Sequence, residues 1–134
     1  MKKQESTVFQ NFHLEGVKYI SAPEAYRYLS EQQAILIDVR AKEEFEVEHL
    51  ALPGAMHIPM PEVIDRLDQL PGDKLIIVID SRGERGTKVA NLLNRQGFKE
   101  VVNLDGGLVQ WKSAGLPVED ILPEACSGCS GCGR

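Results

Sequence analysis

Hydrophobic residues along this chain fall into short continuous runs, and between the runs they fall into helical spacing. Leu75-Ile-Ile-Val-Ile79 is aliphatic throughout and is preceded by the turn residues Pro71-Gly72-Asp73. That pattern predicts a strand buried on both faces of a parallel sheet. Ala34-Ile-Leu-Ile-Asp38 predicts a second such strand, and Glu100-Val-Val-Asn-Leu104 a third; Gly16–Ile20 and His57-Ile58 predict shorter ones. Ser21, with Glu24 three residues on, marks the start of a helix running to about Ser30. Glu43–Glu48 predicts a short acidic helix, and Pro61–Leu70 a helix with Val63, Ile64 and Leu67 turned inward. Lys88–Gln96 has helical spacing, with Val89, Leu92 and Leu93 on one face and Gly97 as its stop. A last helix carries Trp111, and Gly115-Leu-Pro117 closes the compact part.

Alternating strands and helices imply an α/β fold: an open parallel sheet of about five strands with helices on both faces. On this reading residues 1–15 are a loose polar arm, 16–119 the domain and 120–134 a flexible cysteine-rich tail. Ligands of such sheets bind at the carboxyl ends of the strands, which puts Asp38 and Asp80 on one rim. The loop from Asp80 to Arg85 joins a buried strand to a helix N-terminus, so its backbone N–H groups and the helix dipole favour an anion. The loop, however, opens with a carboxylate of its own.

Composition narrows the setting. The chain has 134 residues, 43% of them hydrophobic and 26% charged, which fits a single globular domain with an ordinary core. A formal net charge of −5 argues against nucleic acid or an anionic membrane as partner. The longest aliphatic run is far too short to span a bilayer. Met1-Lys-Lys-Gln-Glu-Ser6 is basic but has no apolar segment behind it, so a cytoplasmic location is expected. All three cysteines, Cys126, Cys129 and Cys132, sit in the tail, so they form no disulfide framework for the domain.

Several separated stretches resemble one family. Leu36-Ile-Asp-Val-Arg40, Glu44-Phe45, His49-Leu50 and Pro53-Gly-Ala-Met-His-Ile-Pro59 resemble the first half of a rhodanese domain. Gly97-Phe98, Val101-Val-Asn-Leu-Asp-Gly-Gly107, Trp111 and Gly115-Leu-Pro-Val118 resemble its second half. The resemblance implies a sulfurtransferase fold whose active loop reads Cys-x-x-Gly-x-Arg-Ser, the cysteine carrying sulfur as a persulfide. On that pattern Gly83 and Arg85 take the Gly and Arg positions, Asp80 stands where the cysteine belongs and Gly86 where the Ser belongs. The span of six residues from Asp80 to Arg85 is the rhodanese length, one shorter than the phosphate-accommodating loop of related phosphatases. The His49–Gly54 spacing is about two residues longer than in the family, and Glu48 replaces a Gly before that His.

Persulfide transfer needs a thiolate, which a carboxylate cannot replace. The expectation is therefore an intact loop, Asp80 to Gly86, that is dead for sulfur transfer. Its N–H groups would satisfy a permanent anion at Asp80. Asp80 as a phosphoryl-transfer nucleophile is the sharper alternative. Ser81, Arg82, Gly83, Glu84, Arg85 and Gly86 are the candidate binding residues, with Asp38 and Arg40 supporting the loop. Arg82 is expected to point outward and suits anion recognition. Arg85 either shares that role or pairs with Asp38 or Asp80. His49 and His57 read as structural, and Glu43, Glu44, Glu46 and Glu48 as a solvated helix start.

The tail, Cys126-Ser-Gly-Cys129-Ser-Gly-Cys132, allows three readings: idle thiols, a persulfide or redox relay on a flexible tether, or a soft-metal or Fe–S site. Three thiolates complete neither a structural zinc site nor a cluster, so the metal reading needs a fourth ligand from elsewhere. No other cofactor is expected. The partners expected are a small anion or a sulfur-carrying protein.

Overall fold

The computed structural model describes residues 12–50 and 52–118, together with the backbone alone of 119–120, 125–130 and 132–133. Most of the N-terminal arm and the side chains of Cys126, Cys129 and Cys132 lie outside the described residues. In chain order the elements are β1 (Lys18–Ile20), α1 (Ala22–Ser30), β2 (Ala34–Asp38), α2 (Lys42–Val47), β3 (Glu48–His49) and β4 (Ala55–His57). Then come β5 (Leu75–Ile79), α3 (Glu84–Arg95), β6 (Val101–Leu104), α4 (Gly107–Ser113) and β7 (Glu119–Asp120).

Five of these strands form one parallel sheet in the order β1-β6-β5-β2-β4. Both faces are covered, as the aliphatic runs require. Ile35, Ile37, Ile76 and Val78 alternate onto one face, where Val89 and Leu93 of α3 pack on them. Leu36, Ile77, Ile79 and Leu104 take the other, against Leu29 of α1 and Trp111 of α4. The register pairs Asp38 with Ile79, so β2 and β5 end level and Asp80 follows at the same rim. Ser21 caps α1 as its sequence implies, its Oγ accepting from the Glu24 N–H at 3.4 Å.

Two elements differ from expectation. Pro61–Leu70 is not an α-helix; it holds two tight 3₁₀ turns, Met60–Glu62 and Ile64–Gln69, with i→i+3 bonds such as Arg66 N–H to Val63 O at 3.0 Å. Val63 and Leu70 are buried but Ile64 is 48% exposed, and Arg66 leaves helical geometry. Without a continuous apolar stripe, burial does not draw the segment into a longer helix. Helix α3, conversely, begins at Glu84 rather than Lys88, so Arg85 and Gly86 lie in its first turn. Gly86 is buried where the helix has no room for a side chain.

The ends of the compact part are tied down. The Leu14 N–H donates to Tyr19 Oη at 3.3 Å, and Leu14 packs against the core. At the other end the Trp111 Nε1–H donates to the Pro117 carbonyl at 2.8 Å. The chain then adds β7 antiparallel to β3, pairing Asp120 with Glu48 and Glu119 with His49. Among the described residues no helix is long and apolar enough to cross a membrane.

Candidate functional site

Strand β5 delivers Asp80 to the sheet rim with 2% of its surface exposed. The chain turns through Ser81-Arg82-Gly83 into α3, and the N–H groups at that helix start converge on the Asp80 carboxylate. Oδ1 accepts from the Gly83 N–H at 2.5 Å and Oδ2 from the Arg85 N–H at 2.8 Å. The cradle expected from the strand–loop–helix order is thus present, and this chain's own side chain fills it. Burial pushes the Asp80 carboxyl above its ordinary value; the N–H groups of Arg85, Gly83 and Gly86 and the Arg85 guanidinium oppose this without cancelling it. That departs from a simply satisfied anion: in so dry a place desolvation outweighs the donors.

The loop is braced from behind and from the side. The Gly83 carbonyl accepts from Thr87 Oγ1 at 2.6 Å and from Asn103 Nδ2 at 3.3 Å, and Asn103 also reaches Thr87 Oγ1 at 3.1 Å. Asn103 Oδ1 occupies the space a Cβ on Gly86 would need. From the side, the N-terminus of α4 grips the loop backbone. Leu108 N–H donates to the Asp80 carbonyl at 2.8 Å and Val109 N–H to the Ser81 carbonyl at 3.0 Å. A Cβ on Gly107, whose φ is +65°, would come within 2.5 Å of the Asp80 carbonyl oxygen. Gly107 therefore serves the loop directly.

Arg85 closes the mouth without turning inward. Its Nη1 and Nη2 meet Glu44 Oε1 and Oε2 at 2.9 and 3.1 Å, and its Nε stays 3.7 Å from Asp80 Oδ2. Glu44 also holds α2, accepting from the Ala41 N–H at 2.9 Å, and faces Ser81 Oγ at 3.4 Å. The hydrogen bond from Arg85 holds the Glu44 carboxyl below its ordinary value, and the same pairing raises Arg85. Asp38 is engaged elsewhere: Arg40 grips it through Nε at 3.0 Å and Nη2 at 2.9 Å, while also donating to the Glu48 carbonyl at 2.7 Å. Arg40 thereby ties β2 to the start of β3. Phe45 stacks between the His49 and His57 rings, at centroid distances of 4.0 and 4.1 Å.

Beside the loop opens a cleft of about 430 Å³, whose lining includes Arg40, Glu48, Ser81, Val109 and Lys112. Lys112 Nζ meets Glu48 Oε1 across it at 2.7 Å.

A family model described as the Rhodanese-like domain matches residues 21–114. The chain belongs to this family. It is 33% identical over 96 residues to the thiosulfate sulfurtransferase GlpE of Coxiella burnetii, covering 72% of this chain and 88% of that one. It is 37% identical over 82 residues to a putative sulfur carrier protein of Bacillus subtilis, and 36% identical over 106 residues to an HTH-type transcriptional regulator of Mycobacterium tuberculosis. Those matches cover 61% and 78% of this chain but only 43% and 46% of the two relatives. Among solved structures, a rhodanese-related protein from Thermoplasma volcanium superposes with a TM-score of 0.67 at 27% identity, covering 75% of this chain and 95% of its own. The rhodanese-like domain of an Anabaena protein gives 0.69 at 27% identity, covering 90% and 88%.

Within this rhodanese-like domain the structure brings together Asp80, Ser81, Gly83, Arg85 and Gly86 and leaves Arg82 and Glu84 exposed at the surface. Arg85 takes neither Asp38 nor, chiefly, Asp80; its forked partner is Glu44, which the sequence reading left on a solvated face. Glu48 likewise pairs with Lys112. Thr87 and Asn103 are further loop residues the sequence did not single out; one is a helix position and the other a strand position, and neither carries a local signal for a contact with Gly83. Among the described residues, which do not include the side chains of the tail cysteines, no group of three or more metal-ligating side chains converges.

Proposed function

We propose that this rhodanese-like domain carries no sulfur at its loop and acts as a binding and regulatory module of sulfur metabolism. One observation carries the reading: the N–H groups of Gly83 and Arg85 are already occupied by the Asp80 carboxylate, at the position the family resemblance assigns to the sulfur-carrying thiol. A carboxylate forms no S–S bond, so the loop lacks the nucleophile for persulfide exchange. The occurrence of a similar domain inside a transcriptional regulator, of which this chain spans under half, supports a recognition role. The partner is a small anion or a sulfur-carrying protein approaching Arg82 and the loop mouth, in the cytoplasm. Nucleic acid and membrane surfaces are disfavoured by the net charge of −5.

A second reading rests on the regular Cys126, Cys129, Cys132 spacing, which supports sulfur handling by the tail in place of the loop. The same three thiols leave the soft-metal or Fe–S possibility to metal analysis of protein purified anaerobically. The deciding experiment is intact-mass and peptide analysis after thiosulfate treatment, alongside a thiosulfate:cyanide assay. A binding module stays at its native mass and produces no thiocyanate. Added sulfur on a tail cysteine rejects the pure binding module in favour of the relay.

A further inference from the structure

The cleft beside the loop has three walls, each held in place by the backbone. Strand β3 forms one, where Arg40 Nη2 donates to the Glu48 carbonyl at 2.7 Å. Helix α4 and the loop form the other two, joined by the bonds from Leu108 N–H to the Asp80 carbonyl and from Val109 N–H to the Ser81 carbonyl. The cleft is thus preformed, and its volume of about 430 Å³ falls in the lower part of the range for small-molecule sites, about 300–1,000 Å³. Glu48 gives it a feature of its own. On the family pattern a Gly stands at this position, so the carboxylate in the cleft is a departure from that pattern.

Charge decides what fits. Lys112 Nζ meets Glu48 Oε1 at 2.7 Å and no other acceptor among the described residues, so two of its three N–H donors and Glu48 Oε2 are open to a ligand. Arg40 adds no free charge, because Asp38 takes its guanidinium at 2.9 Å. An anion on Lys112 would lie beside the Glu48 carboxylate, and a cation on Glu48 beside the Lys112 ammonium, so either alone meets attraction and repulsion together. A molecule carrying both charges on neighbouring atoms meets no such conflict. Its carboxylate takes the spare donors of Lys112, its ammonium takes Glu48 Oε2, and the four charges alternate in sign. The rest of the lining is apolar where Leu108 and Val109 stand, and Val109 is 46% exposed, a surface for a small aliphatic or thioether side chain.

We propose that this cleft binds a free α-amino acid with a small apolar side chain, its ammonium on Glu48, its carboxylate on Lys112 and its side chain against Leu108 and Val109. This rests on the binding-module reading and gives that module a small ligand. The binding-module reading fails if thiosulfate leaves sulfur on the protein, whereas the ligand site fails on the titrations below, so the two failures are told apart.

L-alanine, L-valine, L-leucine and L-methionine, titrated separately into the isotope-labelled full chain and followed by backbone amide shifts, test the proposal. At least one is expected to bind saturably, with a Kd on the order of 0.1–1 mM and shifts at Ser81, Val109 and Lys112. For the best of them, blocking the ammonium by N-acetylation, or the carboxylate as its methyl ester, is expected to weaken binding at least about tenfold. Glu48→Gln and Lys112→Gln change part-exposed side chains; they are expected to keep the wild-type melting transition and to weaken binding of the free amino acid about tenfold. In Glu48→Gln the N-acetyl form is expected to bind as well as the free amino acid, and in Lys112→Gln the ester as well as the acid. A merely structural ion pair would not produce that pattern. Saturable binding by none of the four, equal binding of free and blocked forms to the wild type, or a cost of blocking that the substitutions leave unchanged overturns the proposal, whatever thiosulfate treatment shows.

Discussion

Arg85 and Glu44, 41 residues apart in the chain, meet in a forked ion pair of 2.9 and 3.1 Å that shuts the loop mouth. Both side chains are more than a third exposed, so solvent screens the pair and its worth is that of a well-aligned surface bridge. Glu44→Gln keeps the shape and removes the charge. The expected loss at neutral pH is about 0.5–1 kcal/mol. Because the folded-state carboxyl titrates below its ordinary value of 4.5, this stabilisation is present above that value and disappears as pH falls through the folded one. Urea unfolding at neutral and strongly acidic pH checks this: the gap between wild type and variant closes in acid. A gap that persists there assigns the effect to the cap on Ala41 instead.

Restoring the thiol separates a lost nucleophile from a ruined site. Asp80→Cys, placed in a background with Cys126, Cys129 and Cys132 all changed to Ser, leaves one cysteine facing the N–H groups of Gly83 and Arg85. Those donors and the nearby Arg85 guanidinium favour its thiolate. Thiosulfate treatment is expected to add one sulfur at position 80, and thiocyanate production is expected to rise from background. A variant that folds but takes up no sulfur traces the defect to Gly86 or to the lengthened His49–Gly54 segment.

The sheet was legible because its strands are aliphatic runs with turn residues beside them, and burial on both faces leaves such runs no other stable home. Ser21 was legible for the same kind of reason, since a cap is a contact between near neighbours. The site was legible only along the chain. Asp80, Gly83 and Arg85 announce themselves within one loop, whereas Glu44, Thr87 and Asn103 act across space. In Lys42-Glu-Glu-Phe-Glu-Val47 the family resemblance marks Glu44-Phe45, but nothing local there points to Arg85 as the partner of Glu44. Only the relative placement of α2 and α3 over the sheet selects it. Ile64 shows the opposite failure: it shares a helical period with Val63 and Leu67, yet those two reach the core through 3₁₀ turns while Ile64 is left exposed.

Gly107 is expected to be intolerant for a reason distinct from its backbone angle. Gly97 has φ +101° with open space around it, so Gly97→Ala measures left-handed strain alone, about 1 kcal/mol. Gly107→Ala adds a collision with the Asp80 and Ser81 carbonyls, which are rigidly bonded to α4, and is expected to cost about 3 kcal/mol. Chemical denaturation of the two variants gives the comparison. Equal losses would remove the claim that Gly107 is there to let α4 approach the loop.

Trp111 sets how firmly the chain's exit is held. Its ring is fully buried against Tyr26 at a centroid distance of 5.8 Å, and its Nε1–H is the donor to the Pro117 carbonyl. Trp111→Phe keeps an aromatic ring in the core but deletes that donor and part of the volume, for an expected loss of about 1–2 kcal/mol. The consequence should be regional. With Pro117 released, the β3–β7 pairing of Glu48 with Asp120 loses its upstream support, and pairing over two residues is marginal by itself. Hydrogen exchange at residues 116–120 is expected to accelerate more than at the central strand β5. Uniform acceleration across both would mean that Trp111 contributes only to global stability, and that the exit strand is held by its own pairing.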